Sequence, residues 1–243
     1  MLGNNMGDVK IYERVKENHD YVLTVDVSKG RGQDYSTFSI INITDRPFKQ
    51  VAVYRSNLIS PILLPNIINR WALEYNQAFV IVESNDVGSV VANGLYYDIE
   101  YDNMFVESFV KNSAIGMTMN RKSKRIGCSN LKDLLEENKL ELVDLDTIQE
   151  CSTFEARGQS FEASDGNHDD LVMNLVLFGY YAGTEMFYND TDVDVKAMLY
   201  QEQIRAIEDE ITPFGFIDDG NEEPQVERAG GDTWTLHKKY EVF

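Results

Sequence analysis

Residues 21–44 read YVLTVDVSKGRGQDYSTFSIINIT, and their pattern decides the fold. Tyr21–Val27 is β-branched and apolar apart from Thr24 and Asp26, which predicts a strand buried on both faces. The loop SKGRGQD follows, then Tyr35–Thr44 as a second strand. Asp45–Pro47 is a turn, and Phe48–Arg55 (FKQVAVYR) is a third strand. Connections this short join antiparallel neighbours, so the three strands form a meander.

Working outward, Ile59–Asn76 carries apolar residues at helical spacing (Ile62, Leu63, Ile67, Trp71, Leu73), with Pro61 and Pro65 near its start, where proline is tolerated. Ala78–Val82 is a short apolar strand that ends at Glu83. Asp86–Tyr97 reads as a helix, Met104–Phe109 as a strand and Asn130–Asn138 as a helix. Phe154–Ala163 reads as a hairpin about Arg157–Gly158, and His168–Ala182 as a helix apolar almost all round, hence buried. This order predicts an α/β domain with a mixed sheet of five or more strands flanked by helices. The crossover through the first helix sets the fourth strand beside the first, so Asp26 and Glu83 fall on neighbouring strands. Residues 1–20 read as a linker or arm and 21–189 as the domain. Residues 190–243 read as an acidic C-terminal segment, with a helical piece near Val195–Glu210, suited to disorder or docking.

Composition narrows the chemistry. With 243 residues, 43% hydrophobic and 26% charged, the chain is globular in character. No apolar run approaches the ~18 residues a membrane span needs, and the N-terminus lacks the apolar region of a signal peptide. Cys128 and Cys151 read as free thiols of a reducing compartment. His19, His168 and His237 make no zinc spacing with them, so a metal here takes oxygen ligands, which favours magnesium or manganese. The net charge of −19 counts against a nucleic-acid partner. Its distribution softens that: fourteen acids against five bases lie in residues 190–243, whereas 111–125 (KNSAIGMTMNRKSKR) holds five bases and no acid.

Three acidic positions each end an apolar element. Asp26 interrupts the first strand, Glu83 closes the run Phe79–Val82, and Asp169 with Asp170 opens the last helix. Singly, each has an ordinary explanation: a strand-end cap, a solvated strand end, or an acid favoured by the helix dipole, with Asp165 or Asn167 as the cap. Together they belong to one core, and crowded carboxylates raise one another's pKa until a divalent cation relieves the conflict. Two such ions clamp the attacking and leaving oxygens of a phosphoryl displacement. Beside Asp26, Lys29 and Arg31 sit in a loop whose Gly30 and Gly32 let backbone approach a phosphate; Asp34 and His168 are auxiliary candidates. Lys111, Arg121, Lys122, Lys124 and Arg125 form a basic loop suited to DNA phosphates.

Three segments, TVDVSKGRGQDYSTFSIIN, FVIVESNDVG and FEASDGNHDDLVMNLVLFGYYA, together resemble the C-terminal nuclease domain of tailed-bacteriophage large terminase subunits, of the contractile-tailed type. The resemblance covers most of residues 20–185, and HDDLVM is its sharpest part. It implies an RNase H/RuvC-like fold and a magnesium- or manganese-dependent endonuclease that cuts concatemeric double-stranded DNA with low sequence preference. Asp26, Glu83 and either Asp169 or Asp170 match the family's acids. The implied partners are double-stranded DNA, the terminase ATPase domain, the portal protein and the small terminase subunit, in the cytoplasm of an infected bacterium at the motor on the procapsid. No G-x-x-x-x-G-K-[ST] motif is present, so the chain resembles the nuclease half alone. Two other readings stay open at this point. One is a nucleotide-binding domain of the actin/sugar-kinase type, whose phosphate loop VDVSKGRGQDYST superficially fits. The other is a non-catalytic acidic docking module.

Overall fold

A computed structural model describes residues 8–30, 32, 34–107, 114–157, 160–184, 187, 226–229 and 232–235. Arg31, Lys111 and the helical piece expected near Val195–Glu210 lie outside them. The chain divides into two compact units, residues 1–193 and 194–243. In the second, β9 (Val226–Ala229) and β10 (Asp232–Thr235) pair as an antiparallel hairpin.

The first unit is built on a mixed six-stranded sheet: β1 (Asp8–Ile11), β2 (Tyr21–Asp26), β3 (Ser36–Asn42), β4 (Phe48–Ser56), β5 (Phe79–Val82) and β6 (Leu140–Glu141). The order is β1-β4-β3-β2-β5, with β6 also beside β4. β2, β3 and β4 form the expected antiparallel meander. Helix α1 (Leu64–Glu74) then carries the chain across, so that β5 returns parallel to β2, with Val25 opposite Val82.

The twofold period of a strand sorts side chains between two faces. Leu23 and Val25 of β2, Phe38 and Ile40 of β3, and Val80 and Val82 of β5 pack on one face, with α1 and with α2 (Gly88–Asn93), which runs on into a wider π turn over Gly94–Asp98. Val22 and Ile81 point the other way, to α3 (Arg121–Glu136) and α5 (Asp170–Ala182). Counting on by twos, Asp26 and Glu83 fall on that second face. α5 is sunk in its core: Leu175, Val176, Leu177 and Phe178 are fully buried, each stabilising by roughly 1.5–3 kcal/mol relative to exposure. α3 lies against it through two glycines. A Cβ on Gly127 would stand 2.4 Å from the Val176 carbonyl oxygen, and one on Gly179 would stand 2.6 Å from that of Gly127. A glycine inside a helix costs about 1 kcal/mol, and the close helix contact offsets that here.

Several elements depart from the sequence expectation. Asp8–Ile11, read as part of an arm, is an edge strand on β4. Tyr12 and Lys10 tie it to Asp144, the cap of α4 (Leu145–Thr153), a nine-residue helix absent from the sequence expectation. The basic stretch from Arg121 is the first turn of α3, not a loop. Asn120 caps it by accepting from the Lys122 and Ser123 amides (2.9 and 3.0 Å), and the Ser123 hydroxyl accepts from the Asn120 amide. Of the strand expected at Met104–Phe109, residues 104–107 are described, and there Met104 and Val106 form only isolated bridges. Residues 104–105 hold the start of β5 and residues 115–117 its end, so two short segments divide that edge. The hairpin stands as β7 (Phe154–Arg157) and β8 (Ser160–Ala163).

Candidate active site

The parallel register of β2 and β5 places Asp26 beside Glu83, and the Glu83 amide donates to the Val25 carbonyl at 2.9 Å. The N-terminus of α5 comes down over the same strand ends. The Thr37 hydroxyl, opposite Asp26 on β3, donates to the Asp170 carbonyl at 2.9 Å, and the Asn174 amide donates to that hydroxyl at 2.6 Å. Both Thr37 and Asn174 are fully buried. Three elements distant in sequence thus bring Asp26, Glu83, Asp169 and Asp170 to one place.

The electrostatics of that place are those of too many acids in too little water. Burial first, then the Glu83 charge, then a hydrogen bond to Glu83, then Asp170 and Asp169, hold the Asp26 carboxyl well above the usual carboxylate range. Glu83 is also raised, by burial, although the bond from Asp26 and the Lys124 charge counteract this. The hydrogen bond between them raises Asp26 and lowers Glu83, so of the pair Asp26 keeps its proton to the higher pH. Asp170 is pushed up to about 6, chiefly by burial and then by the Glu150 charge. Its Oδ2 is buried without a hydrogen-bond partner, the ring Nδ1 of His168 standing 3.6 Å away.

Crowded carboxylate oxygens, one of them without a hydrogen-bond partner, make a donor set that fits a hard divalent cation. Among the described residues, no three Asp, Glu, His or Cys side chains are posed so that one ion is already enclosed by all of them. A cleft of about 330 Å³ lies away from the four acids, between α3, α4 and the hairpin, and is lined by apolar groups such as Leu131, Phe154 and Phe161.

The other candidates distribute unevenly. Lys124 points inward, with Nζ 4.0 Å from Asp169 and its charge acting on Glu83. Arg121, Lys122 and Arg125 are exposed around the start of α3. Lys29 is exposed and paired with Asp86 at 2.8 Å. Gly30 does not make room for a phosphate: with φ of 66°, it makes room for the Ile59 carbonyl, 2.3 Å from where its Cβ would be. Asp34 is exposed in the loop. Neither Asp165 nor Asn167 caps α5; Asp165 takes Arg157 and Asn167 donates to Ser164. Asp169 occupies the cap position with no side-chain cap bond.

Two participants were missed. Glu150 of α4 accepts from the Leu171 amide at 2.8 Å, and Arg55 of β4 lies 3.3 Å from the other oxygen of Glu150 while covering the Tyr35 ring at 3.9 Å. The signal for Glu150 was present: Thr147, Glu150 and Cys151 follow the helical interval of three and four, so an acid lies on the inward side.

The model of the terminase RNaseH-like domain matches residues 23–178, which hold all four acids. The chain belongs to the terminase RNaseH-like domain family. Solved structures agree with this fold. The large terminase nuclease from thermophilic phage G20c with bound magnesium is 23% identical, with a TM-score of 0.58 over 71% of this chain and 86% of that one. The nuclease domain of the Thermus phage P74-26 large terminase is 23% identical, with a TM-score of 0.58 over 73% and 87%. This terminase domain thus has an RNase H-like fold, and the family match favours that reading over the actin-like one.

Proposed function

We propose that Asp26, Glu83, Asp170 and Asp169 are the catalytic centre of a divalent-metal-dependent endonuclease, which cuts concatemeric double-stranded DNA during packaging with low sequence preference. The observation that carries this is the convergence of four carboxylates from β2, the end of β5 and the start of α5, with burial and neighbouring charges raising Asp26, Glu83 and Asp170. Asp26, Glu83 and Asp170 would hold the metal, with Asp169 adjoining. When bound, a divalent cation supplies Lewis acidity, neutralising phosphate charge and activating water. Four carboxylates carry more charge than one such ion cancels, which favours two ions. Bound magnesium in the G20c nuclease supports magnesium here, with manganese as the substitute.

The chain's own groups do the positioning. Thr37 and Asn174 fix the backbone of Asp170, and the β2–β5 register fixes Glu83 beside Asp26. Arg121, Lys122 and Arg125 oppose the dipole of α3, which disfavours cations at a helix start. Their exposure there suits phosphate binding by the side chains alone, since Asn120 already takes the Lys122 and Ser123 amides. Lys124 neutralises Glu83 and Asp169. The packaging role brings the terminase ATPase domain, portal protein and small subunit as partners, in the cytoplasm of an infected bacterium.

The test is plasmid nicking with magnesium, with manganese and with EDTA, on the wild type and on Asp26→Asn, Glu83→Gln and Asp170→Asn. The wild type nicks with either metal and stops in EDTA, and each variant keeps its circular dichroism while losing activity. Retained cleavage in any two variants overturns the assignment.

A further inference from the structure

We propose that Glu150 is a positioning residue for the metal centre: its carboxylate caps α5 from outside the helix and so sets where Asp169 and Asp170 stand. This rests on the catalytic reading above. A helix leaves its first amides without intrahelical partners, and a side chain at the cap position ordinarily accepts from one of them. Asp169 makes no such bond. The acceptor comes instead from twenty-one residues earlier in the chain, Glu150 Oε2 to the Leu171 amide at 2.8 Å, with the Val172 amide also acting on it. Asp169 is thereby left to face Lys124 and the acids.

The cap is itself held. Glu150 is 7% exposed. Arg55, 3.3 Å from its other oxygen, offsets that burial only in part, since burial still raises the Glu150 carboxyl, and Tyr35, under Arg55, holds His168 edge-on at a ring separation of 5.4 Å. α4 is fixed at its other end by Asp144, fully buried, which accepts from both the amide and the hydroxyl of Thr147 at 2.8 Å. Glu150 thus acts on the acids from a rigid helix. Groups that orient metal ligands typically matter about 10- to 100-fold in metal affinity or activity when removed.

The experiment uses Glu150→Ala, which removes the acceptor, and Glu150→Gln, which keeps an oxygen for the Leu171 amide. Three readouts are taken: amide hydrogen exchange at Leu171 in EDTA, Mn²⁺ affinity by calorimetry, and kcat and KM for plasmid nicking. The expected result for Ala is faster Leu171 exchange, Mn²⁺ affinity and kcat each lowered about 10- to 100-fold, and an unchanged KM for DNA. Gln recovers most of each loss. Unchanged exchange and affinity in Ala overturn the proposal. If Ala does not fold, Gln decides: a loss as deep as that of Asp170→Asn makes Glu150 a ligand or charge source and overturns the positioning role. Failure of the wild type to bind Mn²⁺ or cut would instead strike the catalytic reading, while the Leu171 exchange still reports the cap.

Discussion

The acids should cost the metal-free protein stability, and Asp170→Asn should reveal how much. In the folded protein Asp170 titrates at about 6, against an ordinary value of 3.8. A raised carboxyl pKa means that the folded state binds the proton more tightly than the unfolded chain does. The penalty is absent below pH ~4, grows as pH rises through the window between 3.8 and about 6, and is constant above it. A difference of roughly two pKa units corresponds to about 3 kcal/mol. The group is only 12% exposed, so solvent screening removes little of this. Asn at this position has no charge to desolvate. In EDTA at pH 8 the variant should be more stable than the wild type by about 3 kcal/mol, or a Tm higher by roughly 6–12 °C for a domain of this size. At pH 4 the difference should nearly vanish. Magnesium at about a hundredfold over its Kd should then raise the wild type by about 2.7 kcal/mol and leave the variant unmoved. Thermal unfolding followed by circular dichroism, across pH 4–8 with EDTA or magnesium, reads all of this. A variant less stable than wild type at pH 8 in EDTA, or a difference independent of pH, would refute the reasoning.

Charge reversal at Arg121, Lys122 and Arg125 together should weaken DNA binding and flatten the slope of log affinity against log salt by about 2–3, at roughly 0.9 for each phosphate no longer neutralised; fluorescence anisotropy with labelled duplex checks this, and an unchanged slope would assign these residues elsewhere. Gly179→Val should destabilise by at least about 2 kcal/mol, because overpacking of a tight core typically costs ~1–3 and its Cβ would meet the backbone of α3 at 2.6 and 2.9 Å; a denaturant midpoint equal to wild type would show that the helices can part there.

Much of this was legible before any coordinates. β2 reads as a buried strand because its residues admit little else, and an ionisable group inside it, Asp26, demands an explanation wherever it lies. The same holds for Glu83 after four apolar residues and for HDD before a helix that is buried all round. Period-two alternation even fixes which face each strand acid takes, once the strands are granted. Sequence could not say that these acids touch, since that depends on β5 returning parallel to β2 with Val82 opposite Val25. Nor could it separate Lys124 from its neighbours: a run of bases looks uniform along the chain, and only the turn of α3 against Gly179 faces one inward and leaves the others exposed. Glu150 was hidden for the same reason. Its local pattern marks an inward-facing acid, but its partner amide lies on another helix, and a hydrogen bond across the fold leaves no trace in the spacing of residues along it.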